Sequence, residues 1–218
     1  MSAPHSATLQ AAVSAPAVTP RKSFRARQFE AREEAIIVAT NRLLRVKGYD
    51  VMVMDDIASE VGIAKGSLYK HFESKEALAA AVMIRLLKRT QAALDALPTN
   101  LSAWQRIESL LAWTLRERLA GDVPQLPSSS QTLRDTLLSN SEYIDLLMTL
   151  SDDVGALIAR AREDGDLDPA LDDSVVLYTI YARSCDPTLD FLKSGGVLTD
   201  DEIVQQMLVT TMRGLAAR

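Results

Sequence analysis

Apolar residues along this chain return every three or four positions and nowhere alternate over a stretch, so helices have what they need and a sheet does not. From about residue 27, Ile36, Ala39, Leu43 and Leu44 share one helical face, and Gly48 stands where a left-handed C-terminal cap would fall. The stretch DDIASEVGIAKGSLYKHFESKEAL, residues 55–78, splits into two short units, 55–61 and about 65–72, parted by Gly62. A long helix capped by Ser74 follows and runs to about residue 97, where Pro98 stops it. Further periodic blocks cover 101–120, 131–139, 141–164, 169–194 and 200–216. The break GDVPQLPSSSQ, Asp168 as a cap with Pro169 in the first helical position, and the capping box TDDE at 199–202 mark their ends. Pro187 should kink or split the penultimate helix. The pattern predicts an all-α fold of about nine helices.

Charge is distributed unevenly along the chain. The net charge is −5, yet residues 21–78 carry 11 Lys or Arg against 9 Asp or Glu, while residues 79–218 carry 13 against 20. The net charge by itself would argue against nucleic acid, but read by segment a basic head sits on an acidic body. Residues 1–20 contain no charged side chain and three prolines, which predicts a disordered tail, taken to residue 24. One cysteine excludes an internal disulfide, and two distant histidines leave no zinc set, so neither a metal nor another cofactor is expected. No apolar run spans a bilayer and the first twenty residues lack a secretory pattern, so a cytoplasmic protein without membrane contact is expected.

Two helices too short to hold themselves make sense if neighbours clamp them so that the second can project, as a helix-turn-helix unit does into the major groove of DNA. Ile57, Ala58 and Val61 of the first and Leu68 and Phe72 of the second supply the clamp, with Gly62 allowing the turn. Lys65, Ser67, Tyr69, Lys70 and His71 are left facing outward, followed by Lys75, and all can donate hydrogen bonds to phosphates or base edges. Gly66 removes a side chain where the backbone would approach phosphate. The basic segment Arg21, Lys22, Arg25 and Arg27 has the composition of a flexible arm for the minor groove, and equally that of an ordinary solvated run.

The segment GYDVMVMDDIASEVGIAKGSLYKHFESKEAL resembles the DNA-binding region of the TetR (tetracycline-repressor-like) transcriptional regulators. Gly48, Tyr49, Ile57, Ala58, Gly62, Gly66, Leu68, Tyr69, Phe72, Lys75 and Leu78 fall at the family's spacing. Where family members commonly carry Thr and then Ser or Thr, this chain has Met52 and Val53, leaving Asp55 and Asp56 only to complement the helix dipole; Ala64 stands where a Ser often precedes the recognition helix. The resemblance implies a three-helix DNA-binding head at 25–76 and an effector-binding and dimerisation body at 77–218. It further implies a homodimer joined by the last two helices, whose stripes Val176, Ile180, Leu189, Leu192, Ile203, Met207 and Thr210 would meet their copies. Double-stranded operator DNA is the implied partner, with a small-molecule effector in the body. For that cavity the candidates are Trp113, Arg116, Tyr143, Tyr178, Tyr181 and Cys185, with Arg183 as a second possible cation, although aromatics at helical spacing are as a rule packing.

Catalysis has little to stand on: the body contains no histidine, no G-x-S-x-G elbow and no phosphate loop, and Cys185 reads as a small buried hydrophobe rather than a nucleophile. The expectation is therefore a transcriptional regulator, a repressor rather than an enzyme. Two alternatives stand beside it: the same fold without a small-molecule effector, and a ligand-binding or enzymatic helical protein with a degenerate head.

Overall fold

The computed structural model describes residues 23–127 and 129–217. Their helices are α1 (Phe24–Lys47), α2 (Met54–Val61), α3 (Lys65–Leu68), α4 (Lys75–Asp95), α5 (Ala103–Ala120), α6 (Gln131–Ser139), α7 (Ser141–Glu163), α8 (Asp173–Ser184), α9 (Thr188–Gly195) and α10 (Asp200–Leu215). The fold is all-α, and among the described residues its strand-like element is a single antiparallel bridge between Leu167 and Ala216.

Caps set most of the boundaries. The Ser23, Ser74 and Ser102 hydroxyls accept the first free amides of α1, α4 and α5, and Thr199 and Glu202 close a reciprocal capping box on α10. Gly48, Gly62 and Gly121 stand at positive φ just beyond α1, α2 and α5. Because α1 begins at Phe24, residue 24 is helical rather than part of a tail; residues 1–22, where the tail was expected, lie outside the described residues.

One boundary differs from the sequence reading, and the break at Pro187 agrees with it. Asp168 caps a turn, accepting the Ala170 amide at 2.9 Å, and the helix starts only at Asp173 under Asp172. The reason is competition for the backbone: Asp168 N–H bonds Leu215 O and Ala217 N–H bonds Asp166 O, both at 2.9 Å, so this stretch is tied to the end of α10 and cannot coil. Pro187, lacking an amide hydrogen, splits the penultimate helix into α8 and α9, with Asp186 accepting the Thr188 amide at the new start.

Apolar side chains gather into two clusters. One holds Ile36 and Leu44 of α1, Met52, Ile57 of α2, Leu68 of α3 and Leu78 and Val82 of α4, and it also takes in Leu133 of α6. The other is built from α5, α7, α8, α9 and α10, with Leu87 and Leu94 of α4 reaching into it. Thus α4 spans both. Val176, Ile180, Leu189, Ile203 and Met207, expected to face a second copy, are buried in this chain's own second cluster. Periodicity announces an apolar stripe but not which body covers it. The apolar groups left exposed on α8 and α9 are instead Val175, Tyr178 and Phe191, with 55%, 68% and 75% of their surface free. Among the described residues, no helix is long and apolar enough to cross a membrane.

Candidate nucleic-acid interface

The α2 and α3 segments are held from behind. Ile57 and Leu68 are fully buried, Ala58 nearly so, and Phe72 packs against them half-exposed. Gly62 at φ 72° turns the chain, and the Ile63 amide returns to Ala58 O at 2.9 Å. Without a Ser or Thr at position 53, α2 draws on its own third residue: the Val53 amide donates to Asp56 Oδ2 at 3.1 Å and Lys47 Nζ to Asp56 Oδ1 at 2.6 Å. Asp56 therefore does more than complement the dipole, and the Lys47 ammonium followed by the Val53 amide holds its carboxyl below the usual range. Nothing comparable caps α3, where Ala64 offers no side-chain acceptor.

The recognition segment is one helical turn, four residues rather than the eight expected, continued by turns in which Lys70 N–H returns to Ser67 O and His71 and Phe72 N–H both return to Leu68 O. On its outer side Lys65, Gly66, Tyr69 and Lys70 are exposed and Ser67 is half-buried. Tyr69 leaves 45% of its surface free. Lys65 is held by Asp55, Nζ to Oδ1 at 2.8 Å, which raises its pKa. Lys70 forms no ion pair among the described residues, so it is the cation on this face that is ready to meet a phosphate without first leaving a carboxylate.

Two residues assigned outward point elsewhere. The side chain of His71 is only 4% exposed; its ring lies 4.1 Å from that of Phe29 and its Nδ1 3.5 Å from Glu33 of α1. The cause is the early start of α1, whose first turns cover the far end of the recognition segment. Lys75 donates to Tyr49 O at 3.0 Å with its ammonium 4.3 Å above the Tyr49 ring, and Tyr49 in turn donates to Glu76 at 2.9 Å. Burial, then Glu76, pushes the Tyr49 phenol well up. Lys75 is thus engaged in fixing the loop after α1. Of the basic segment, Arg25 and Arg27 are exposed on the first turns of α1 and so belong to a helix, not to a free arm; Arg21 and Lys22 lie outside the described residues.

In the body, a cavity of about 210 Å³ opens between α4, α5, α7 and α8. Tyr143, Tyr181 and Cys185, three of the effector candidates, line it beside Met83, Thr90, Thr114 and several leucines. Trp113, Arg116 and Tyr178 do not. Tyr178 and Arg116 are exposed, and Trp113 has its ring 5.9 Å from the Arg89 guanidinium outside the cavity. Arg183 is paired with Asp186 at 2.7 Å and also stands outside. The spacing i, i+3, i+7 selects a face about sixty degrees wide, and here the wall begins between Tyr178 and Tyr181.

Two arrangements had no sequence signal. Arg118 is buried and bonds Asp190 of α9 at 2.5 Å, pinning α9 to α5. Arg45 of α1 donates to Ala120 O at 2.8 Å and Asn41 to Gly121 O at 3.4 Å, latching the end of α5 onto α1. Both join positions more than seventy residues apart, which no local spacing reveals.

Residues 36–82 match the family model described as bacterial regulatory proteins, tetR family. The HTH-type transcriptional regulator EthR of Mycolicibacterium smegmatis is 29% identical over 180 residues, covering 76% of this chain and 79% of that protein. The HTH-type transcriptional regulator RutR of Escherichia coli K12 is 27% identical over 196 residues, 87% of this chain and 91% of that protein. The solved structure of the ketosteroid transcriptional regulator KstR2 of Mycobacterium tuberculosis superposes with a TM-score of 0.64 at 21% identity, covering 86% of this chain and 96% of that one, a likeness of fold alone. With a helix-turn-helix braced by Leu68, residues 36–82 form a DNA-binding segment of the tetR family type, and over most of its length the chain is similar to HTH-type transcriptional regulators.

Proposed function

We propose that this chain is a ligand-responsive repressor that binds a palindromic operator as a homodimer and leaves it when a small molecule occupies the body cavity. The observation that carries this reading is the outward face of Lys65, Gly66, Tyr69 and Lys70, backed by fully buried Leu68 and Ile57. Residues 25–76 act as the DNA-binding domain and 77–218 as the effector and dimerisation domain. Ser67 at the edge of the face, and Arg25 and Arg27 on the start of α1, add phosphate contacts. His71 and Lys75 serve by fixing the segment rather than by touching DNA, which the burial of His71 and the hydrogen bond of Lys75 support. The reading takes the chain as a cytoplasmic protein that catalyses no reaction.

Dimerisation uses α8, α9 and α10, and the exposed Val175, Tyr178 and Phe191, with Val209 of α10, are apolar groups available for it. A twofold pair presents two recognition segments to half-sites about 34–36 Å apart or somewhat more. The cavity reaches the head through α4, which carries Leu78 and Val82 in the head cluster and Met83, Leu86, Leu87 and Thr90 on the cavity wall. A molecule that fits the cavity better at one setting of α4 shifts the population of head spacings by its differential affinity.

Substituting the face tests this reading. Lys70→Ala should weaken operator binding by about tenfold and reduce the slope of log K against log salt by about 0.9, the loss of one phosphate contact. Tyr69→Ala should cost a comparable factor with no loss of helicity by circular dichroism. Operator affinity unchanged in both variants, followed by fluorescence anisotropy across a salt series, would remove this face from DNA binding.

A further inference from the structure

Among the described residues, the lining of the body cavity contains no Asp, Glu, Lys, Arg or His. Its polar groups are hydroxyls and one thiol, and their hydrogens are mostly spent. Thr90 donates to Leu86 O and Thr114 to Leu110 O, each at 2.9 Å, and Ser184 donates to Tyr181 O at 2.7 Å. Tyr181 shares a hydrogen bond of 3.1 Å with Ser151. The Tyr143 hydroxyl, by contrast, makes no hydrogen bond among the described residues, while its ring is half-buried at the cavity wall. A cavity of about 150 Å³ takes up benzene, so about 210 Å³ holds on the order of eight to ten non-hydrogen atoms.

We infer that the cavity takes an uncharged, compact, mostly apolar molecule that carries one hydrogen-bond acceptor, such as a carbonyl oxygen, and places it against the Tyr143 hydroxyl. This deepens the effector reading and rests on it only for the consequence at the operator. An ionised group brought here would leave water and meet no opposite charge, a cost that excludes it. A donor group would fare worse than an acceptor: the threonine hydroxyls are already donating and offer lone pairs hemmed in by their own helices, whereas Tyr143 offers a free O–H. The burial that raises the pKa of Tyr143 keeps that proton in place at any physiological pH.

Four probes with the same number of non-hydrogen atoms separate the possibilities: methyl benzoate, butylbenzene, phenylacetate and 3-phenylpropylammonium, titrated against the full chain by ligand-observed NMR. Methyl benzoate should bind saturably and at least tenfold more tightly than either ion. Tyr143→Phe should weaken methyl benzoate about threefold to tenfold while leaving butylbenzene unchanged, a split that a merely structural role of the tyrosine would not produce. Thr114→Leu, which fills the cavity from α5, should abolish binding of both neutral probes. Either ion binding as tightly as the ester, no saturable binding of the ester, or Tyr143→Phe binding it undiminished overturns the inference. The effector reading is scored separately, by operator affinity with each probe present. Ester binding that obeys the pattern but leaves operator affinity unchanged upholds the cavity chemistry and defeats the effector reading. Operator release by an ion alone does the reverse.

Discussion

Leu68→Ala is expected to unfold the head and abolish operator binding while the body stays folded. Leu68 is fully buried and is the one buried residue of α3, meeting Ile36, Ile57 and Leu78 in the first cluster. A leucine truncated to alanine in such a site costs about 2–5 kcal/mol, against a whole-protein stability of about 5–15 kcal/mol. Four residues cannot form a helix unaided, so the loss falls on the recognition segment first. The second cluster draws on α5, α7, α8, α9 and α10 and shares only α4 with the first, so it has no reason to melt along with it. Thermal unfolding followed by circular dichroism should therefore gain an early partial transition, with methyl benzoate still bound above it. Leu68→Ile, which conserves volume, should cost less than about 1.5 kcal/mol and retain most operator affinity. One unchanged transition for the alanine variant would contradict the division of the core.

Gly121→Ala should destabilise the protein by about 2–3 kcal/mol through two separable effects. Gly121 sits at φ +84°, a conformation that costs a side-chain-bearing residue about 1–2 kcal/mol. An added Cβ would also collide with Arg45 Nη1 and lie 2.5 Å from Arg45 Cδ, so the guanidinium must swing away and give up its 2.8 Å bond to Ala120 O. That bond and the Asn41 contact latch α1 to the end of α5. In an Arg45→Ala background the steric part disappears, and Gly121→Ala should then cost only the backbone share. Urea midpoints for the four proteins of this cycle give the answer, and an equal glycine effect in both backgrounds would show that the latch contributes nothing.

Where the sequence could be read and where it could not follows from the range of the interactions involved. Caps and terminating glycines act within four residues, which is why Ser74, Thr199 with Glu202, Gly48 and Gly62 marked their boundaries correctly. The helix-turn-helix was legible for the same reason: its clamp, Ile57, Ala58 and Leu68, is local. Asp168 looked like a cap of equal quality, but the end of α10 claims the backbone beside it. His71 looked like one more donor on an outer face, and only the position of Phe29 and Glu33, about forty residues earlier, buries it. Lys75 is likewise taken by Tyr49, twenty-six positions away. For the body, spacing put Tyr181 and Cys185 on one face and gave no means of telling a cavity wall from an exposed neighbour such as Tyr178. The stripe of Val176, Ile180, Leu189, Ile203 and Met207 was real, and its burial inside the same chain is a fact of three-dimensional packing alone.

The central claim, two outward recognition segments set at a fixed spacing by a twofold assembly, is tested most directly by selecting sequences from a random DNA pool with the full chain. The account expects an inverted repeat with half-site centres about one helical turn apart or somewhat more, enriched by the native protein and lost with a Tyr69→Ala, Lys70→Ala double variant. Enrichment of a single asymmetric site, or a repeat that the double variant selects just as well, would contradict it.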